Sequence, residues 1–157
     1  MNEPAIHPVA PADYEACERL IRTIWEARGS RFPPAGWYAW RYKDNPFPGS
    51  VQYGAWRGND LLAHVGYCAN RVAGPWGTII GVEACDLAAA AAARGRGLGT
   101  SIISRLDEDA AGKGVALGYS FPVAGVARHF YRAGWSRPTR LGWWYRPLWG
   151  LVRTVAG

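Results

Sequence analysis

The chain has 157 residues, 49% of them apolar and 19% charged, enough to bury a core of its own without disulfide or metal staples, which excludes a disordered or fibrous chain. No stretch approaches the roughly 20 apolar residues of a membrane span, and Met1–Ala10 lacks the basic start and apolar run of a secretory signal. The net charge of +6, carried by sixteen arginines against two lysines, favours an anionic partner: nucleic acid, a membrane surface or a phosphate-rich cosubstrate, among which charge alone does not choose.

In chain order, residues 5–9 read as a short strand. A helix follows from Pro11, with Tyr14, Cys17, Leu20, Ile21, Ile24 and Trp25 at helical spacing before Gly29. Pro33 and Pro34 interrupt the chain, and the aromatic run Trp37, Tyr38, Trp40, Tyr42 forms a second helix that ends near Asn45 and Pro46. Residues 51–57 and 61–72 alternate in polarity on either side of Gly58-Asn59-Asp60, which predicts an antiparallel hairpin. Residues 78–88 form the next strand, apolar on both faces apart from Glu83 and Asp86. With period two, Asp86 faces away from Glu83 unless a bulge intervenes.

A helix begins at Leu98 and runs to Gly112. A strand over 115–119, a helix from Pro122 to Arg132 capped by Gly134, a strand over 139–146 and a terminal helix or tail complete the chain. Antiparallel strands followed by alternating strands and helices point to an α/β or α+β mixed sheet in one domain, residues 1–157. Three cysteines, Cys17, Cys68 and Cys85, make an odd count without metal-ligand spacing; they read as reduced core residues and place the chain in the cytoplasm. His7, His64 and His129 show no zinc pattern, so no metal is expected.

Chemistry concentrates at Arg94-Gly95-Arg96-Gly97-Leu98-Gly99-Thr100. Glycines that open a helix let phosphate oxygens approach free backbone N–H groups at the positive end of the helix dipole. The dinucleotide pattern fails for want of its third glycine, and the P-loop pattern for want of Gly-Lys-Ser/Thr.

The spacing Arg94-x-x-Gly97-x-Gly99, after a strand and opening a helix, resembles the acyl-CoA pyrophosphate motif of the GNAT N-acyltransferase superfamily. The element order and the run Phe130-Tyr131-Arg132-Ala133-Gly134-Trp135 are similar to that family over nearly the whole chain. The stretch Trp40-Arg41-Tyr42-Lys43-Asp44-Asn45-Pro46, with Phe121-Pro122 and Arg146-Pro147-Leu148, resembles a bacterial subgroup of it.

The resemblance implies a splayed, mostly antiparallel sheet whose parallel strand pair admits the pantetheine arm of acetyl-CoA or another acyl-CoA. Leu87, Ala88 and Ala89 would then meet that arm and polarise the thioester, while Arg94, Gly95, Arg96, Gly97, Leu98, Gly99 and Thr100 hold the pyrophosphate. Glu83, eleven residues before Arg94, would be the general base, with Asp86 in reserve. Tyr131 would be the acid if the last helix is one residue short, because the register of Gly134 otherwise puts Phe130 in the acid's place. Val123 or Ala124 stands where many members carry Asn. Trp37, Tyr38 and Trp40 would wall the acceptor, a small-molecule amine such as an amino sugar. Nucleic acid is not expected as a partner, and a catalytically silent acyl-CoA-binding module is the alternative. Since the family has two strands after Gly134 where this sequence shows one, the chain pairs with a second copy as a homodimer or is a piece of a longer protein.

Overall fold

The computed structural model describes residues 3–137. The expected strand over 139–146 and the terminal helix lie outside the described residues. Five strands form one sheet in the order β1 (Ala5–Pro8), β2 (Val51–Arg57), β3 (Asp60–Gly74), β4 (Gly77–Ala89), β5 (Leu117–Tyr119). All neighbours are antiparallel except β4 and β5, which are parallel. The mixed, mostly antiparallel sheet read from the sequence is therefore the one formed.

Helices α1 (Tyr14–Glu26) and α2 (Trp37–Tyr42) cover one face, and α3 (Leu98–Gly112) and α4 (Ala124–Arg132) the other. Two cores result. Val65, Tyr67, Val82 and Ala84 pack with Ile102, Ile103, Leu106 and Phe130, while Cys17, Ile21, Ile24, Tyr38, Tyr42 and Ala88 fill the opposite face. Asp107 ties the first layer together, accepting hydrogen bonds from the Tyr67 hydroxyl at 2.6 Å and from Trp135 Nε1 at 3.0 Å.

Element ends differ from the sequence reading where local hydrogen bonding outweighs apolar spacing. Residues Pro11–Asp13 form a 3₁₀ turn, with the Asp13 carboxylate accepting from the Ala10 N–H at 3.2 Å, and the α-helix starts at Tyr14. Val115 is not in β5. Gly114, with φ of +75°, ends α3, and the Val115 N–H turns back to the Ala110 carbonyl at 3.1 Å. Val123 keeps an extended backbone, so α4 begins at Ala124.

β4 and β5 pair over only three residues, Gly81–Glu83 with Leu117–Tyr119. The Ser120 hydroxyl then donates to the Ala84 carbonyl at 2.9 Å, the last link between the two segments among the described residues. Beyond it β4 continues to Ala89 without a partner on that side among the described residues. Backbone groups of a strand left open in this way are free to pair with an extended ligand.

Candidate active site

Two adjoining hollows follow the open side of β4. The larger, about 390 Å³, is lined by Leu87–Ala89, by Arg94–Gly99, and by Arg28, Val126, Arg128 and His129 from the ends of α1 and α4. Its floor is the front of α3. Gly95 and Gly97 take φ of +76° and +79°, a region open to glycine at little cost, and this turns the loop sharply into α3. Among the described residues the first amide of this run with a backbone acceptor is Ser101, whose N–H reaches the Gly97 carbonyl at 3.1 Å; the amides from Gly95 to Thr100 have none. Together with Arg28, Arg94, Arg96 and Arg128 they give this hollow a lining of hydrogen-bond donors and positive charge.

The second hollow, about 250 Å³, lies between β4 and the segment after β5. Glu83, Cys85, Asp86 and Leu87 line one side, Ser120, Phe121 and Pro122 the other, and Trp25, Arg28, Val126 and Phe130 contribute the rest. Arg28, Leu87 and Val126 border both hollows, so the two adjoin. Glu83 sits opposite Tyr119 in the parallel register, half-buried at the point where the strands part.

A bulge separates Glu83 from the open stretch. Gly66 pairs with Cys85 and His64 with Ala88, so Asp86 and Leu87 together face Val65 alone. Asp86 has φ of +53°, the one positive value outside glycine among the described residues, a conformation that costs an L-residue about 1 kcal/mol. The extra residue reverses the alternation of the strand: Val82 and Ala84 pack toward α3, yet Ala88 packs toward α1 and α2. Asp86 consequently shares the α2 side with Cys85. Tyr42 reaches both, donating to Asp86 Oδ2 at 2.6 Å and lying 3.3 Å from Cys85 Sγ. The strict alternation that set Asp86 against Glu83 does not hold here, because the bulge intervenes.

A buried network braces the bulge from below. His64, fully buried, lies 2.9 Å from the Asp86 carbonyl through Nδ1 and 2.6 Å from the Tyr38 hydroxyl through Nε2. A carbonyl only accepts, so Nδ1 carries the proton and Nε2 accepts from Tyr38. Burial lowers the His64 pKa below its ordinary 6.5 and raises that of Tyr38. The folded state thus binds this proton more weakly than the unfolded chain. The stability His64 contributes is complete above about pH 6.5 and is lost as the pH falls through the lowered folded value. Denaturant titrations from pH 7.5 to 5 should show this loss approaching about 1.4 kcal/mol per pH unit, and His64→Asn should flatten it. His129, shifted the same way, contributes a remainder.

Burial pushes the thiol of Cys17 up to about 12 and raises that of Cys85 further, so neither is an activated nucleophile. Among the described residues no cluster of His, Cys, Asp or Glu is placed to hold a metal ion, and no helix is long and apolar enough to cross a membrane.

Most residues singled out from the sequence come together. Glu83 lines the smaller hollow, Arg94–Gly99 and Ala88–Ala89 the larger, and Leu87 borders both; Thr100 stands beside them, its hydroxyl 3.4 Å from His129 Nδ1. Tyr131 is not brought in. α4 is not shortened, so Phe130 turns into the hollow and Tyr131 lies half-exposed outside both. Of the residues expected to wall the acceptor, Tyr38 is buried against His64, and neither Trp37 nor Trp40 lines either of these two hollows. Trp25 lines the smaller one. Arg28, in the turn after α1, and Arg128 and His129, on α4, belong to no motif in the sequence; the one signal is basic residues near predicted helix ends.

The Acetyltransferase (GNAT) family matches residues 14–135. No curated protein matches the sequence. Among solved structures, a predicted acetyltransferase with acetyl-CoA from Clostridium acetobutylicum superposes with a TM-score of 0.71 at 14% identity, covering 94% of this chain and 97% of that one. Glucosamine-6-phosphate N-acetyltransferase from Arabidopsis thaliana gives 0.70 at 10% identity, over 92% and 99%. An aminoglycoside acetyltransferase from an uncultured soil metagenomic sample gives 0.67 at 18% identity, over 93% and 99%. These likenesses concern the fold; the family match spans the bulged strand, the glycine loop and the helix they open, so the chain belongs to the GNAT acetyltransferase family.

Proposed function

We propose that residues 1–157 are one N-acyltransferase domain that moves an acetyl or other acyl group from acyl-CoA to a small amine by direct attack on the thioester. The observation that carries this reading is the adjacency of the two hollows, one with free amides and four arginines at the front of α3, the other with a carboxylate where β4 and β5 part. The loop amides of 95–100 and the arginines hold the phosphates. The open backbone of Leu87–Ala89 pairs with the pantetheine arm and polarises the thioester carbonyl. Glu83 takes the proton as the amine attacks, and the sulfur leaves as thiolate. Phe130 has no proton to give it, so water protonates the thiolate in place of Tyr131.

Trp25, Phe121 and Pro122 offer flat apolar walls beside Glu83, which suits an amino sugar or a similar ringed amine. The gathering of arginine at this cleft fits a phosphorylated cosubstrate better than nucleic acid, and the free cysteines fit the cytoplasm. A second reading draws on Phe130: a module that binds acyl-CoA without turnover.

Acetyl-CoA at one hundred times its Kd should stabilise the protein by about 2.7 kcal/mol, read as a rise in Tm. Release of free thiol with a panel of amines then separates the enzyme from the silent module. Absence of any shift at millimolar acetyl-CoA defeats both.

Binding should also take up a proton. Burial, then Arg128 and Arg132, hold the His129 pKa below its ordinary value. A polyanion in the cleft offsets the two arginines and favours the imidazolium, so affinity should rise as the pH falls toward 6. Calorimetry in two buffers of different ionisation enthalpy reads the uptake directly, and His129→Gln should reduce it.

A further inference from the structure

Asp86 lines the smaller hollow, yet both its carboxylate oxygens are already engaged. Its side chain is 3% exposed, Tyr42 donates to Oδ2 at 2.6 Å, and Arg41 Nη1 reaches Oδ1 and Oδ2 at 3.3 and 3.2 Å. The backbone carbonyl of the same residue is held by His64. Four contacts therefore converge on the single residue at which β4 changes face. The strand opposite is shaped for the same contact: a Cβ at Gly66 would collide with the Tyr42 hydroxyl.

The helix that supplies Arg41 and Tyr42 is itself tied down. Asn45 Nδ2 lies 3.2 Å from the carbonyls of Arg41 and Ala69 and 3.2 Å from Cys68 Sγ, and its Oδ1 accepts from the Phe47 N–H at 2.8 Å. The run Trp40–Pro46, singled out in the sequence without a task, thus fastens α2 across β3 to the bulge of β4.

The geometry points to Arg41, Tyr42 and Asp86 as positioning residues, a latch that holds β4 at its bulge and so aims the Leu87–Ala89 backbone at the thioester. This rests on reading the adjoining hollow as the place of acyl transfer. Asp86 acts through the strand it shapes and takes no proton. Loss of the latch lets the amides beyond the bulge drift, and sub-ångström to ångström drift of positioned groups lowers turnover by up to about a hundredfold.

The test compares Tyr42→Phe, Asp86→Asn and the double variant, each as the full chain. Tyr42→Phe keeps the ring and removes the hydroxyl alone, so it guards against failure of Asp86→Asn to fold. Backbone amide resonances of Leu87, Ala88 and Ala89 in the free protein should move in Tyr42→Phe, although the substituted atom touches none of them. Turnover should fall by about ten- to a hundredfold in each single variant and hardly further in the double, while the KM for the amine changes little. Unmoved amides with wild-type turnover in Tyr42→Phe overturn the latch. So does an inactive Asp86→Asn beside an active Tyr42→Phe, because Asp86 would then be reacting itself. Moved amides in a protein that ignores acetyl-CoA leave the latch standing and remove the acyltransfer reading.

Discussion

Glu83→Gln is expected to lower kcat for thiol release by about 10²- to 10⁴-fold, the usual contribution of a positioned base, while the Kd for acetyl-CoA stays within about twofold. The substitution preserves shape and hydrogen-bonding reach but cannot accept the proton of an attacking ammonium-derived amine. Glu83 is suited to the role by place: it lines the smaller hollow at the parting of β4 and β5 and is half-buried there. The second carboxylate of that wall, Asp86, already accepts hydrogen bonds at both oxygens from Tyr42 and Arg41 and is almost wholly buried. Steady-state thiol release with a responsive amine, paired with calorimetric titration of acetyl-CoA, makes the measurement. Retention of more than a third of wild-type turnover would falsify the assignment and leave direct attack to a water-assisted amine.

A loss on binding in place of chemistry is expected for Gly97→Ala. Gly97 has φ of +79° and open space around its α-carbon, so the difficulty is backbone strain and not collision. An L-residue in that region costs about 1–2 kcal/mol, relieved only by turning the loop away from the conformation in which its amides converge. Acetyl-CoA should bind about tenfold more weakly or worse, one factor of ten for each 1.4 kcal/mol. Gly112→Ala is the matched control. Gly112 ends α3, is not among the glycines with positive φ, and has nothing within 4 Å of an added Cβ. That change should leave affinity alone and raise stability by up to about 0.5 kcal/mol. Equal weakening in the two variants would show that any substitution in α3 disturbs the cleft, and the phosphate site would lose its support.

The contrast between Glu83 and Asp86 shows how far the chain could be read unaided. Both stood out as carboxylates in an apolar strand, and period two predicted opposite faces. A bulge is set by pairing with a partner strand, in this case two residues of β4 against Val65, and by the contacts that Tyr42 and His64 make across 44 and 22 positions of sequence. Neither shows in a local window. The fate of Tyr131 has the same origin: α4 could end in either of two registers, and burial of Phe130 against α3 and Trp135 selects the one that leaves Tyr131 outside.

Local chemistry, by contrast, was legible from the residues themselves. The strands up to residue 119, the hairpin at Gly58–Asp60, the helix that opens at Leu98 and the glycine turn before it all follow from forces acting within a few residues: side-chain alternation, helix spacing and the freedom of glycine at positive φ. Tertiary structure alone decided which distant groups share the cleft. Arg28, from the turn after α1, and Arg128, from α4, reach the same hollow from opposite faces of the sheet, Trp25 and not Trp37 or Tyr38 lines the smaller one, and the Asp86 carboxylate is bound by Tyr42 and Arg41. Such meetings depend on how the two helical layers pack across the sheet, a sum of many weak long-range contacts that no short stretch of sequence encodes.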